Sequence, residues 1–271
     1  MKQFYLIFTV VTLAACAKKE KEQVATPTPA NSQEYLVAGT LFTQQAAEYR
    51  ALCHQAYNLA EMRLLEVLKS NPEKPAVVLD LDETVLDNSA FTAWQITSAT
   101  PFSEDDWAIW TNLAVAPEVP GVTRFLNLAD SLGVSLFYIS NRDSSALHPT
   151  IKNMQNLGMP QLDEEHFMLK TTTSGKESRR HAVRDAGYNI VMLVGDNLGD
   201  FHHRWDKQLN DNRKHWVDSL KSEFGQNFIV LPNTLYGTWE GAIYNFDWSL
   251  SNEKRDSLRK AALEPAEIKM N

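Results

Sequence analysis

Short apolar runs and amphipathic stretches take turns along most of this chain. Between residues 34 and 69 there is no proline, and apolar residues recur at helical spacing: Leu52, Ala56, Leu59 and Ala60, then Leu64, Leu65 and Leu68. The spacing predicts one or two long helices, stopped at Asn71-Pro72, with Cys53 inside them as a buried small hydrophobe. Residues 76–79 are a continuous apolar run, the pattern of a parallel strand buried on both faces. Beyond them the pattern predicts helices over 122–132, 148–157 and 176–186, closed by Gly133, Gly158 and Gly187. Strands are predicted over 134–139, 167–169, 190–194 and 228–231. Strand and helix in alternation predict an α/β fold on a parallel sheet. Residues 91–118, with Trp94, Trp107 and Trp110, break the rhythm and read as an insertion of the cap or lid kind. The polar end, 251–271, reads as a peripheral helix or tail, and no internal repeat is found.

The first residues, MKQFYLIFTVVTLAAC, join Lys2 to an apolar stretch too short to span a bilayer. Leu13-Ala14-Ala15-Cys16 resembles a bacterial lipobox, whose cysteine is acylated and becomes the mature N-terminus; an ordinary signal peptide with an incidental cysteine is the alternative. The expected organisation is a signal peptide at 1–15, then acylated Cys16 and a charged, Thr/Pro-rich tether at 16–33. Helices of a smaller domain follow at 34–71, and the core lies at 72–250. Ala17 does not resemble an inner-membrane retention signal, so an outer-membrane lipoprotein is expected, its face unresolved. No other apolar run approaches about eighteen residues, so no membrane-spanning helix is expected.

The chain has 271 residues, enough for one large domain or one domain with a small companion. Its net charge of −8 argues against a nucleic-acid polymer as partner, because such binding rests on a basic surface.

One segment carries an electrostatic problem. AVVLDLDETVLDNS, residues 76–89, drives an apolar run straight into Asp80, Asp82, Glu83 and Asp87. In an open α/β sheet the site lies at the carboxyl ends of the strands. The first strand delivers Asp80 and Asp82 there, the second Ser140-Asn141-Arg142, and a later one Asp196 and Asp200, with Lys176 nearby. Carboxylates converging at one rim need a cation, and an all-oxygen donor set suits Mg²⁺.

Asp-x-Asp-x-Thr, then Ser-Asn, then Lys, then Gly-Asp-Asn-Leu-x-Asp is the motif set of the haloacid-dehalogenase-like phosphohydrolases. Within that superfamily VVLDLDETVLDNS, VGDNLGDF and LPNTLYGTWEG resemble the class C bacterial acid phosphatases, which are outer-membrane lipoproteins. The resemblance runs from about residue 34 to about 250; one departure is Phe91, where the family often carries tyrosine. It implies a Rossmann-like parallel sheet with a small, mostly helical cap, and Mg²⁺-dependent hydrolysis of phosphomonoesters. Asp80 would be the nucleophile, forming an aspartyl phosphate, and Asp82 the acid and then the base. Ser140, Asn141 and Lys176 would bind the phosphoryl group. Asp80, the Asp82 carbonyl and Asp196 would ligate the metal, and Asp200 would hold its waters or orient Lys176.

Other residues carry weaker signals. Arg142 is either a phosphate ligand or the partner of Asp143 or Glu83, while Glu83 and Asp87 read as structural acids. The pair His202-His203 reads as surface or core rather than as a ligand of a hard cation. Phe102, Trp110 and Tyr236 are core aromatics or a clamp for a flat leaving group, such as a 5'-nucleotide or nicotinamide mononucleotide. Two rival functions share the sequence: phosphotransfer on the same fold, and a surface binding lipoprotein with a vestigial site. The oligomeric state stays open, a homodimer included.

Overall fold

A computed structural model describes residues 33–267; the expected signal peptide, Cys16 and the tether lie outside the described residues. The predicted helical stretch forms α1 (Val37–Gln45) and α2 (Ala47–Leu68), separated where Ala46 turns extended at ψ 125°. The buried face of α2 is Tyr49, Cys53, Ala56, Tyr57, Ala60 and Leu64. Ala56, Ala60 and Leu64 of the predicted stripe lie on that face; Leu52 and Leu65 do not and are exposed, because Tyr49, Cys53 and Tyr57, four apart, complete the inward face instead.

The sheet follows the expected α/β pattern. Strand β1 (Pro75–Leu79) leads into α3 (Ser89–Thr97) and α4 (Glu104–Leu113), which occupy the stretch read as an insertion. Helix α3 packs on α1. Next come α5 (Val122–Ser131), β2 (Ser135–Asp143), α6 (Leu147–Asn156) and β3 (Phe167–Lys170). Helix α4 packs on α6. The chain continues through α7 (Glu177–Asp185), β4 (Asn189–Gly195), α8 (Asn210–Ser219), β5 (Phe228–Val230), α9 (Thr238–Ile243) and α10 (Asn252–Ala261). Strand order is β3-β2-β1-β4-β5, all pairs parallel. Strand β2 is longer than predicted and takes in Ser140, Asn141 and Arg142, since its pairing resumes at Asp143 opposite Lys170.

Period-2 alternation divides β1 between two cores. Val77 and Leu79 face α2 and α5, packing with Tyr57, Phe125, Leu126 and Leu136. Ala76 and Val78 face the other side, with Phe137, Val183, Leu193, Phe201 and Trp205. Both faces are covered, as a parallel sheet requires. The C-terminal α10 is fastened by Arg259, whose guanidinium lies 3.6 Å over the Tyr35 ring and bonds Glu240 (3.1 Å) and the Tyr244 hydroxyl (2.6 Å).

Candidate active site

The loop after β1 is wound around one carbonyl. Leu81 O accepts the N–H groups of Val85 and Leu86 at 2.8 Å, and Glu83, at φ 59°, donates its own N–H to Leu86 O. This tight turn holds Asp80, Asp82 and Thr84 at the carboxyl end of the central strand. Strand β4 runs alongside, and Asp80 N–H bonds Val194 O at 3.0 Å, so Asp196 arrives beside Asp80.

Asp80, Asp196 and Asp200 each offer a carboxylate oxygen, all within 4.8 Å of one another. Lys176, immediately before α7, inserts its ammonium among them, bonding Asp80 and lying 2.6 Å from Asp200 Oδ1. A buried lysine at a helix N-terminus opposes the helix dipole. Burial also disfavours its charge, but Asp200 and Asp80 outweigh that and hold its pKa above the ordinary value. Asp200 is fixed by the Asn197 N–H, which donates to Oδ2 at 2.9 Å. Asp196 accepts from Thr84 Oγ1 (3.1 Å) and Asn233 Nδ2 (2.8 Å).

Three acids share one lysine, and their pKa values show the imbalance. Burial drives Asp80 well above the usual carboxylate range; Lys176 opposes this, while Asp200, Asp196 and Asp82 add to it. Burial, then Asp200, lifts Asp196 to about 7. A divalent cation would relieve both, and the all-oxygen donor set, held by Thr84 and Asn233 from outside, fits one.

Asp82 faces the other way. Arg142 donates to Asp82 Oδ1 through Nε (2.9 Å) and Nη2 (2.8 Å), and Asn88 Nδ2 adds a third bond at 2.9 Å. Asp82 Oδ2 faces only the Ser140 hydroxyl among these groups, at 3.4 Å. Of the two roles open to Arg142, pairing with Asp143 or Glu83 is not seen; β2 carries its side chain inward, to a site 2 % exposed, where Thr150 Oγ1 takes the remaining Nη1 at 3.0 Å.

Sequence reasoning missed Arg179. Three residues after Lys176, it reaches Ser140 O (2.5 Å), Met168 O (3.1 Å) and Asn141 Oδ1 (2.7 Å). With its oxygen taken, the Asn141 amide presents its NH₂ as the free donor. The spacing of one helical turn from Lys176 was the available signal. Asn88 and Asn233 were missed as well, although each stands inside a quoted motif.

The aromatic residues form a second layer. Phe91 sits 5.3–6.4 Å, centroid to centroid, from Trp94, Phe102, Trp107 and Trp110. Trp107 lies 5.7 Å from the Arg142 guanidinium, and Trp110 Nε1 donates to Asn88 Oδ1 at 2.8 Å. Phe102 is 56 % exposed and Tyr236 42 %, while Trp110 is half-buried. The Tyr236 hydroxyl bonds Glu83, a carboxyl that burial, then Asp82 and Asp196, hold well above its ordinary pKa. Glu83 is thus a buried acid, 2 % exposed.

Known proteins share this fold. The class C acid phosphatase from Bacillus anthracis is 38 % identical, with TM-score 0.84 over 88 % of this chain and 100 % of that one. Its structure with tungstate bound gives 0.83 at the same identity, over 87 % and 99 %. Acid phosphatase 1 of Solanum lycopersicum is 24 % identical over 59 % of this chain, and a stem 31 kDa glycoprotein of Glycine max 26 % over 59 %. The chain matches little more than half the length of these two plant proteins, 57 % and 58 %. Residues 7–239 match the model of the HAD superfamily, subfamily IIIB (acid phosphatase), and the chain belongs to that family.

Proposed function

We propose that this protein is a Mg²⁺-dependent acid phosphatase that hydrolyses small phosphomonoesters through an aspartyl phosphate on Asp80. The observation that carries the reading is the Asp80, Asp196 and Asp200 cluster with Lys176 bonded into it. A carboxylate oxygen of Asp80 attacks phosphorus in line, and the ester P–O bond breaks. Asp82, through Oδ2, gives its proton to the leaving alkoxide. Water then attacks the aspartyl phosphate, returns a proton to Asp82, and phosphate departs. Lys176, the Ser140 hydroxyl and the Asn141 NH₂ hydrogen-bond the phosphoryl oxygens. A Mg²⁺ ion held by Asp80, Asp196 and the Asp82 carbonyl, with Asp200 on its waters, would shield the like charges of nucleophile and phosphate.

Specificity lies in the loops above the rim, because phosphate is common to all substrates. The exposed rings of Phe102 and Tyr236, with Trp110 beside them, support stacking on a nucleobase or nicotinamide ring, hence 5'-nucleotides or nicotinamide mononucleotide as substrates. Acylation of Cys16 would anchor the enzyme to the outer membrane. The test is phosphate release from p-nitrophenyl phosphate. Release abolished by EDTA and restored by Mg²⁺ is expected; no release under any divalent cation sinks the proposal.

A further inference from the structure

We propose that Glu177, His202 and His203, with His181 beside them, form a second cation site, one for a divalent transition metal of the zinc type. Glu177, His202 and His203 each place a ligand atom within 4.8 Å of the others. Glu177 Oε2 lies 3.5 Å from His203 Nδ1, and Oε1 lies 3.4 Å from His181 Nε2. Both separations exceed an ordinary hydrogen bond. The first matches the ligand-to-ligand edge of a tetrahedral zinc site, about 3.4 Å when each bond is near 2.1 Å, and the second sets His181 beside the carboxylate's other oxygen.

The carboxylate is already fixed for this purpose. Arg180, 1 % exposed, donates to Glu177 Oε2 at 2.7 Å and with its other nitrogen to Asp200 O (2.7 Å) and Gly199 O (3.1 Å). A carboxylate oxygen has two lone pairs, so this bond leaves one for an ion and sets its direction. Helix α7 supplies Glu177 and His181 one turn apart on one face. His202 and His203 come from the segment after Asp200, their rings 4.3 Å apart. His202 Nδ1 accepts the exposed Arg204 N–H at 3.1 Å, a bond that water can replace.

Donor type separates the two sites. The rim offers only carboxylates, suited to a hard ion that keeps its waters, while imidazole with one carboxylate suits zinc, copper or nickel. Arg184 lies 3.7 Å from Glu177 Oε1 and lowers the affinity, but its side chain is well exposed and screened. The position matters because Glu177 follows Lys176 and His202 follows Asp200 by two. An ion here would join the two segments that carry the central lysine–aspartate pair.

The experiment is calorimetric titration of Zn²⁺ into the untagged chain under saturating Mg²⁺. One ion per chain is expected, with affinity lowered at least about tenfold in the double variant His202→Ala/His203→Ala and kept in Asp196→Asn. His203→Ala alone, at an exposed ring, serves if the double variant misfolds. Co²⁺ should give visible bands of a tetrahedral site in the wild type and not in the histidine variants. Zn²⁺ binding unchanged by the histidine substitutions, or lost in Asp196→Asn instead, overturns the proposal. So does a wild type that binds only at millimolar zinc.

Discussion

Arg142 holds one oxygen of Asp82 with two nitrogens, Nε at 2.9 Å and Nη2 at 2.8 Å, and leaves Oδ2 facing the Ser140 hydroxyl. If Asp82 is the proton donor of the proposed mechanism, it owes its position to the arginine. Arg142→Ala should therefore lower kcat by roughly a hundredfold, as misplacement of a reacting group by about 1 Å does, with little change in KM. Arg142→Lys, which keeps the charge without the planar fork, should recover only part of it. A raised KM at unchanged kcat would instead make Arg142 a ligand of the substrate's phosphate.

Asp80→Asn is nearly isosteric and removes one of three crowded acids. The variant should fold, with a Tm in EDTA no lower than that of the wild type, yet release no phosphate from p-nitrophenyl phosphate. An amide oxygen is too poor a nucleophile for phosphorus, so turnover above a trace would rule out the covalent route.

The raised Asp196 carboxyl makes stability depend on pH. In the cation-free fold it titrates near about 7, against about 3.9 in an unfolded chain. Between these values the folded chain binds the extra proton, so stability is lost progressively as pH rises from about 4 to about 7 and stays low above. In EDTA, Tm should be lower at about pH 7.5 than at about pH 5, and Mg²⁺ should raise it more at the higher pH. Asp196→Asn should reduce both effects, the raised Asp80 and Glu83 carboxyls leaving the remainder. A wild-type Tm in EDTA that climbs across this interval would contradict the assignment.

Tyr236 joins a ring and a hydroxyl that can be separated. Stacking on a base contributes about 1–3 kcal/mol, or roughly one to two decades in kcat/KM. Tyr236→Ala should lose that much with AMP or nicotinamide mononucleotide and far less with glycerol phosphate. Tyr236→Phe, which gives up only the bond to Glu83, should keep the preference for ring substrates. Equal losses on both substrate classes in folded Tyr236→Ala would remove the stacking role.

Cys16→Ser should give an active enzyme in the soluble fraction of fractionated cells. Persistent membrane association would point to a different anchor.

The sheet and the acidic rim were legible because both are local in the sequence. Apolar runs such as 76–79 mark buried strands, and the acids follow directly on the strand ends. What escaped depends on side chains meeting across the fold. The partner of Arg142 is 60 residues away, and its other bonds, to Thr150 and Asn88, come from two further segments. Arg179 stands in none of the motifs, and its acceptors come from β2 and the segment after β3. The inward face of α2 was misjudged for a related reason: Tyr57 spends its hydroxyl on Thr84 O (2.6 Å), so an aromatic residue that reads as amphipathic is fully buried while Leu52 is not.

Strand β1, with Asp80 at its tip, pairs with β2 on one side and β4 on the other. Parallel neighbours are joined only through long crossovers, so neither pairing can form while the chain near β1 stands alone. During synthesis Asp80 therefore emerges early, but Lys176, Asp196, Asp200 and Asn233 come later by 96 to 153 positions. A nascent or truncated chain carries Asp80 without Lys176, Asp196 and Asp200 around it. The carboxylate cluster is complete only once β4 has paired with β1 and brought Asp196 and Asp200 beside Asp80.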